Sequence, residues 1–361
     1  MDRNAESTPF DTQANCMDWM RLYAALSIIL GHSMHWLSAP DAASVRAFNI
    51  FYGLIIFFAM SGFLITASME RRLSSWPQFL WRRFIRLYPG MWVCFLVSLA
   101  VVAVMTRLYG IEVSAWSWVK WIGAQLTFFQ FYTPADLKAY GIGNPNGVLW
   151  MIPLMLCMYV LMRFAYPFLR KAGTAVWLCL LAALVAVAVG AHWCYPSLPP
   201  LWQKLVYVSI LPYMYIFFLA MFLCHFKERI LPFLCRWWWV VLLLYVVWVK
   251  GKACWHIHMP GLYLDILTGC LVCILSIAVA YRFRLPRLKH DYSYPLFLYH
   301  EIFVNIFVVV GFTHSWNAVL CVFAGTIVCA VLSCRLVEEP AARFLKRFSP
   351  SSPQRGAAPG G

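Results

Sequence analysis

The sequence predicts an all-α membrane protein, a bundle of about ten transmembrane helices with both termini on the cytoplasmic side. Three observations carry this. First, 63% of the 361 residues are hydrophobic and only 12% charged, with a mean hydropathy of +0.71, too apolar for a water-soluble domain. Second, the apolar residues fall in runs long enough to cross a bilayer, at about 17–37, 48–68, 89–109, 147–169, 174–192, 205–225, 236–252, 262–281, 294–312 and 316–336. Third, the basic residues sit in short clusters between those runs. The net charge of +15 therefore reads as topogenic loop charge and not as a nucleic-acid-binding face.

Taken in order, residues 1–16 form a polar N-terminus with no small-residue cleavage pattern after it, so the first run is expected to stay as a signal anchor. The stretch "WSWVKWIGAQLTFFQFY" at 116–132 contains Lys120, Gln125 and Gln130, and loop charges decide its place. With ten spans, only Arg46, Arg107, Lys120, Lys138, Lys204, Lys250 and Lys252 lie outside, leaving 22 of the 29 basic residues inside; an eleventh span at 116–132 would cut the inner number to 11. The stretch is expected to be an amphipathic or re-entrant part of an outer loop, 110–146, that ends in the turn-rich "GIGNPNGVLW". The main body runs from 17 to 345. The tail 346–361, rich in Pro, Gly and Ser, is expected to be disordered.

The thirteen cysteines are scattered through apolar runs and read as packing residues. Cys270 and Cys273 make a CxxC, but inside an apolar helix, where a redox role is not expected. Cys254, His256 and His258 cluster in a loop without an evident fourth ligand, so no metal site is expected.

Ionisable residues inside the spans are costly and point to function. In "MDWMRLYAALSIILGHSMHW", Arg21 and His32 are eleven residues apart, which returns them to nearly one helix face at depths differing by roughly 16 Å. The bland account pairs Asp18 with Arg21 and leaves His32 satisfied by a neighbouring helix. Ser61 and Gly62, in "FFAMSGFLITAS", permit close approach of a helix or a ligand. Arg82, Arg83 and Arg86 gather in "FLWRRFIRLYP", where Arg83 and Arg86 can face one ligand; topogenic charge explains them equally, but guanidinium groups also fork well around phosphate oxygens. "DYSYPLFLYHEIF" buries His300 beside Glu301.

The ordered set "MDWMRLYAALSIILGHS", "FFAMSGFLITAS", "RRFIRLYP", "LWMIPLMLCMYVL", "DYSYPLFLYH" and "VEEPAAR" resembles the acyltransferase-3 family of bacterial membrane acyltransferases over about residues 17–345. The resemblance implies a stand-alone inner-membrane enzyme without a fused esterase-like domain. Such an enzyme takes an acyl group, usually acetyl from acetyl-CoA, and passes it to a hydroxyl of a glycan or lipid-linked saccharide. It implies no permanently bound cofactor: acyl-CoA is the donor substrate. His32 and His300 match the catalytic positions, and Arg21, Ser61, Arg82, Arg83 and Arg86 the donor-binding ones. His32 would act as general base or as acyl carrier, with His35 or His300 orienting the acceptor or moving protons. One departure is Met155 in "LWMIPLM", where family members commonly carry Glu; Glu301 or Asp265 would have to compensate. Two other classes stay open: a proton-coupled transporter or glycan flippase, which buried titratable groups would also suit although no paired halves are seen, and an inactive relative.

Overall fold

The computed structural model describes residues 15–40, 48, 50–254 and 265–347, and among these there is no strand. The polar N-terminus 1–14, the loop bearing His256 and His258, and the tail beyond 347 lie outside the described residues. The helices are α1 (Met17–Trp36), α2 (Gly53–Arg71), α3 (Trp76–Leu108), α4 (Ala115–Leu126), α5 (Met151–Leu169), α6 (Thr174–Cys194) and α7 (Pro200–Val208). They continue as α8 (Met214–His225), α9 (Lys227–Arg236), α10 (Trp238–Cys254), α11 (Ile266–Arg282), α12 (Ser293–Val310), α13 (Trp316–Ser333) and α14 (Glu339–Arg347).

Among the described residues, six stretches are long and apolar enough to cross a membrane: α2, α3, Gly147–Leu169, Thr174–Ser197, α12 and Trp316–Leu345. The pair α9 and α10, bent by 69°, adds a seventh if counted as one span. α6 shows the membrane character most directly. Among its 21 residues only Trp177 and Ala188 are buried, and an exposed apolar face of that length is foreign to a water-soluble surface.

Two segments differ from the sequence-based expectation and a third agrees with it. The run expected at 205–225 is split into α7 and α8, because Pro212 supplies no N–H and disfavours helix at the residue before it. The run expected from 89 begins at Trp76, so the arginine cluster belongs to a 33-residue helix that carries Pro89 within it. The stretch 116–132 yields only the 12-residue α4, capped by Ser114, whose hydroxyl accepts from the Ser117 N–H. Its length of about 18 Å falls well short of a hydrocarbon core of about 30 Å. It buries Trp121 and exposes Trp116, Val119 and Leu126, as an amphipathic helix does.

α1 lies inside the bundle between α2 and α12, which explains how a helix with Asp18, Arg21, His32 and His35 is accommodated. α2 packs closely on α8, and Gly62 makes that possible: a Cβ there would stand 2.8 Å from the Phe217 carbonyl oxygen and 3.0 Å from the Ala220 Cβ. Backbone cannot yield as a side-chain end can. Gly62→Val is accordingly expected to destabilise the bundle by about 1–3 kcal/mol, seen as a lower unfolding temperature in detergent.

Candidate active site

Four helices, α1, α2, α5 and α12, each run past two cavities. The first, about 940 Å³, is lined by Arg21 of α1, Ser61, Leu64 and Ile65 of α2, Ile152, Met155 and Tyr159 of α5, and Ser293 and Tyr294 of α12, with Arg82, Arg83 and Arg86 from α3. The second, about 840 Å³, is lined by Ser27, Gly31, His32 and His35 of α1, Gly53 and Leu54 of α2, and Phe297 and Glu301 of α12, together with Asn144, Val148 and Trp150. Met151 borders both. Phe57, on the first cavity, meets Phe297, on the second, edge to face at 5.8 Å between ring centres. The expected donor-binding residues therefore share one cavity, and His32 stands in the other.

His32 and His300 meet across α1 and α12, with His300 Nε2 3.1 Å from His32 Nδ1. His300 is wholly buried, and its Nδ1 lies 2.8 Å from the Phe297 carbonyl oxygen. A carbonyl only accepts, so that Nδ1 carries the proton and donates. With both rings neutral, His300 Nε2 must accept from the N–H at His32 Nδ1, which leaves His32 Nε2 with a bare lone pair. The order carbonyl, imidazole, imidazole fixes the tautomer of His32 and can take up part of the charge if Nε2 gains a proton. His35 also lines this cavity but stacks edge-on with Trp36, 4.7 Å between ring centres.

In the first cavity, the Arg21 Nη2 donates to Asp291 Oδ2 at 2.6 Å and to Asp18 Oδ1 at 3.3 Å, and Arg86 stands 3.8 Å from the same Asp291 oxygen. The Asp18–Arg21 pair thus exists, but the shorter bond goes to Asp291. Desolvation would raise the Asp291 carboxyl, yet the guanidinium groups of Arg21 and Arg86 and the hydroxyl and N–H of Ser293 hold it below the usual carboxylate range. Arg83 donates to the Ser68 hydroxyl at 3.3 Å, and its guanidinium carbon lies 5.3 Å from the centre of the Phe79 ring and 5.9 Å from that of Tyr159. The Nε atoms of Arg21 and Arg83 are buried with no hydrogen-bond partner among the described residues. His290, Cys334 and Glu339 bring three ligand-type atoms within 4.8 Å of one another on this wall; Lys289 and Arg86 line the same cavity, and their charge opposes a bound cation.

Neither proposed substitute for a carboxylate at 155 takes that place. Met155 faces the first cavity, whereas Glu301 lines the second and accepts from the Val148 N–H at 2.8 Å, capping the turn that leads into α5. Asp265 caps α11 and pairs with Lys252.

Sequence reasoning missed Asp291, whose carboxylate joins two of the arginines, and Asn305 and Asn146, which anchor "GIGNPNG" as a wall of the second cavity. The Asn305 side-chain amide donates to the carbonyls of Asn144 (3.1 Å) and Pro145 (3.2 Å), and its oxygen accepts from the Ile142 N–H at 2.9 Å. Asn146 donates to Ser98 at 3.3 Å and to the Leu298 carbonyl at 3.2 Å. A buried Asn in the middle of an apolar helix, as Asn305 is, was the available signal.

Residues 15–335 match a family model described as an acyltransferase domain, that of the acyltransferase-3 family. The chain is 26% identical over 352 residues to "Nodulation protein 10" of Rhizobium leguminosarum bv. viciae, covering 91% of this chain and 94% of that one. It is 26% identical over 162 residues to the "O-acetyl transferase" of Shigella phage Sf6, covering 44% of this chain and 48% of the relative. No solved structure matches. With the family model matched across nearly the whole helical body, this chain belongs to the acyltransferase-3 family and is a membrane acyltransferase.

Proposed function

We propose that the protein transfers an acyl group, acetyl foremost, from acyl-CoA in the first cavity to a saccharide hydroxyl in the second. The observation that carries this is the pair of back-to-back cavities, one bearing Arg21, Arg82, Arg83 and Arg86, the other bearing the bare Nε2 of His32. The donor's phosphates bind the arginines, and its slender pantetheine arm passes Ser61 towards the wall between the cavities. The second cavity suits a saccharide: Trp36, Trp150 and Tyr207 offer flat faces for sugar C–H groups, and Asn144 and Ser27 offer polar contacts. The phage relative's name supports acetyl as the group and oxygen as its destination.

In this reading, His32 Nε2 removes the proton from the acceptor hydroxyl as its oxygen attacks the thioester carbonyl. The C–S bond breaks, the acyl group stays on the oxygen, and the CoA thiolate takes up a proton. His300 holds the His32 ring and shares its transient charge. In this reading α1, α11 and the broken pair of α7 and α8 join the seven stretches above as ten crossings of a bacterial inner membrane, with the arginine cavity and both termini on the cytoplasmic side.

The test is purified protein in liposomes with acetyl-CoA labelled on the acetyl group. Label moved to a saccharide, or released by slow hydrolysis, supports the reading; acetyl-CoA left intact with every saccharide offered would overturn it. Transport without loss of the thioester would favour the exporter or flippase class instead.

A further inference from the structure

All four helices that line the two cavities cross from one to the other at the same level, and an apolar septum fills that level. On α1 it lies between Arg21 and Ser27, where Ala24 and Ala25 are wholly buried. On α2 it is Phe57, with Ser61 one turn to the donor side and Gly53 one turn to the other. On α12 it falls between Tyr294 and Phe297, and on α5 it is Met151, which borders both cavities. The direct way for a thioester carbonyl in the first cavity to reach His32 in the second runs through this septum.

We propose that Met151, closing the septum with Phe57 and Phe297, is an aperture that selects the acyl chain, admitting short uncharged acyl groups and excluding long or charged ones. This rests on the function proposed above. Met151 is the adjustable member. The turn before it is pinned by Glu301, which holds the Val148 N–H, and the Met151 N–H bonds back to the Val148 carbonyl, so the side chain can change without moving the turn. Methionine is also unbranched and flexible, able to fold aside for a small group and to close afterwards. Phe297 is less free, because its carbonyl holds His300 and its ring lies 6.1 Å from the imidazole. No charged side chain stands among these three, so a carboxylate on the acyl group would be stripped of water there without a partner.

The experiment compares acetyl-, butyryl-, hexanoyl- and succinyl-CoA with purified protein in liposomes, for the unaltered chain and for M151A, M151L and M151W. M151A is expected to raise the ratio of butyryl to acetyl kcat/KM about tenfold or more, the scale on which added methylenes discriminate in an apolar pocket. M151W is expected to lower acetyl kcat while leaving the dissociation constant for CoA itself unchanged, because CoA alone stays on the donor side. M151L, of similar volume but branched and stiffer, should lower acetyl kcat less than M151W does, and succinyl-CoA should remain unused throughout. An unchanged chain-length ratio in M151A, or a weakened CoA affinity in M151W equal to its loss of turnover, overturns the aperture. Should M151A fail to fold, the M151W split between turnover and CoA affinity decides alone. If the unaltered chain consumes no acyl-CoA of any length, it is the functional reading that has failed; if it consumes acetyl-CoA and the ratios do not move, only the aperture has.

Discussion

His32→Ala is expected to abolish acyl transfer while the folded protein persists in the membrane at its normal amount. Removing a positioned general base typically costs about 10²–10⁴ in rate, and the His300 Nε2 that the truncation frees stands behind the His32 ring on a wholly buried residue, set back from the acceptor cavity, while its Nδ1 is tied to the Phe297 carbonyl. Truncation leaves His300 Nε2 without its donor. That loss costs little, because His32 faces a cavity of about 840 Å³ from which water can replace it. His32→Asn separates chemistry from architecture. An asparagine amide nitrogen stands where the imidazole Nδ1 did and can donate to His300 Nε2, but it supplies no basic lone pair, so this variant should be as inactive as the alanine one and as heat-stable as the unaltered chain. Full acylation of the acceptor by His32→Ala would remove His32 from the mechanism, and activity restored by asparagine would reduce it to a structural link.

The parts of this molecule legible in its sequence are those governed by local pattern. Arg21 and His32 share a helix, so a period of about 100° per residue sufficed to place them on one stripe and at two depths. Arg83 and Arg86 are likewise neighbours on one helix. The meeting of His32 with His300 crosses 268 residues and two helices, and no periodicity encodes it; only the rarity of histidine in an apolar run marked both. Asp291 was passed over because it lies at the edge of an apolar run, where an acid is unremarkable until Arg21 and Arg86 arrive from two other helices. The fold shows the same division. Hydropathy found the runs but not the break at Pro212, nor that α3 continues back to Trp76, because a window average cannot see a single missing N–H or a helix that goes on through polar residues. Met155 shows the limit of spacing alone: its position was legible, but that it faces the donor cavity while Glu301 faces the acceptor cavity emerges only when α5 and α12 are set side by side.

Arg83→Ala is expected to raise the KM for acetyl-CoA about 10–100-fold with a much smaller change in kcat. A hydrogen bond to a charged group is worth about 1.5–3 kcal/mol, and about 1.4 kcal/mol corresponds to tenfold. Arg83 is singled out among the arginines by its setting. Arg21 already spends its charge on Asp291 and Asp18, and Arg86 is half-exposed near the same aspartate, whereas among the described residues Arg83 has no acidic partner and keeps a buried Nε without an acceptor. Its guanidinium is braced between the rings of Phe79 and Tyr159, which orients the fork before any ligand arrives. Arg83→Lys preserves the charge but not the fork and should fall between alanine and the unaltered chain. The decisive comparison uses acetyl-pantetheine, which carries the same thioester without the nucleotide phosphates. If Arg83 binds phosphate, the alanine variant and the unaltered chain should use that truncated donor equally well, both poorly. If Arg83 instead only braces α3 against α5, the substitution should impair both donors by the same factor, and the phosphate role would be lost with that result.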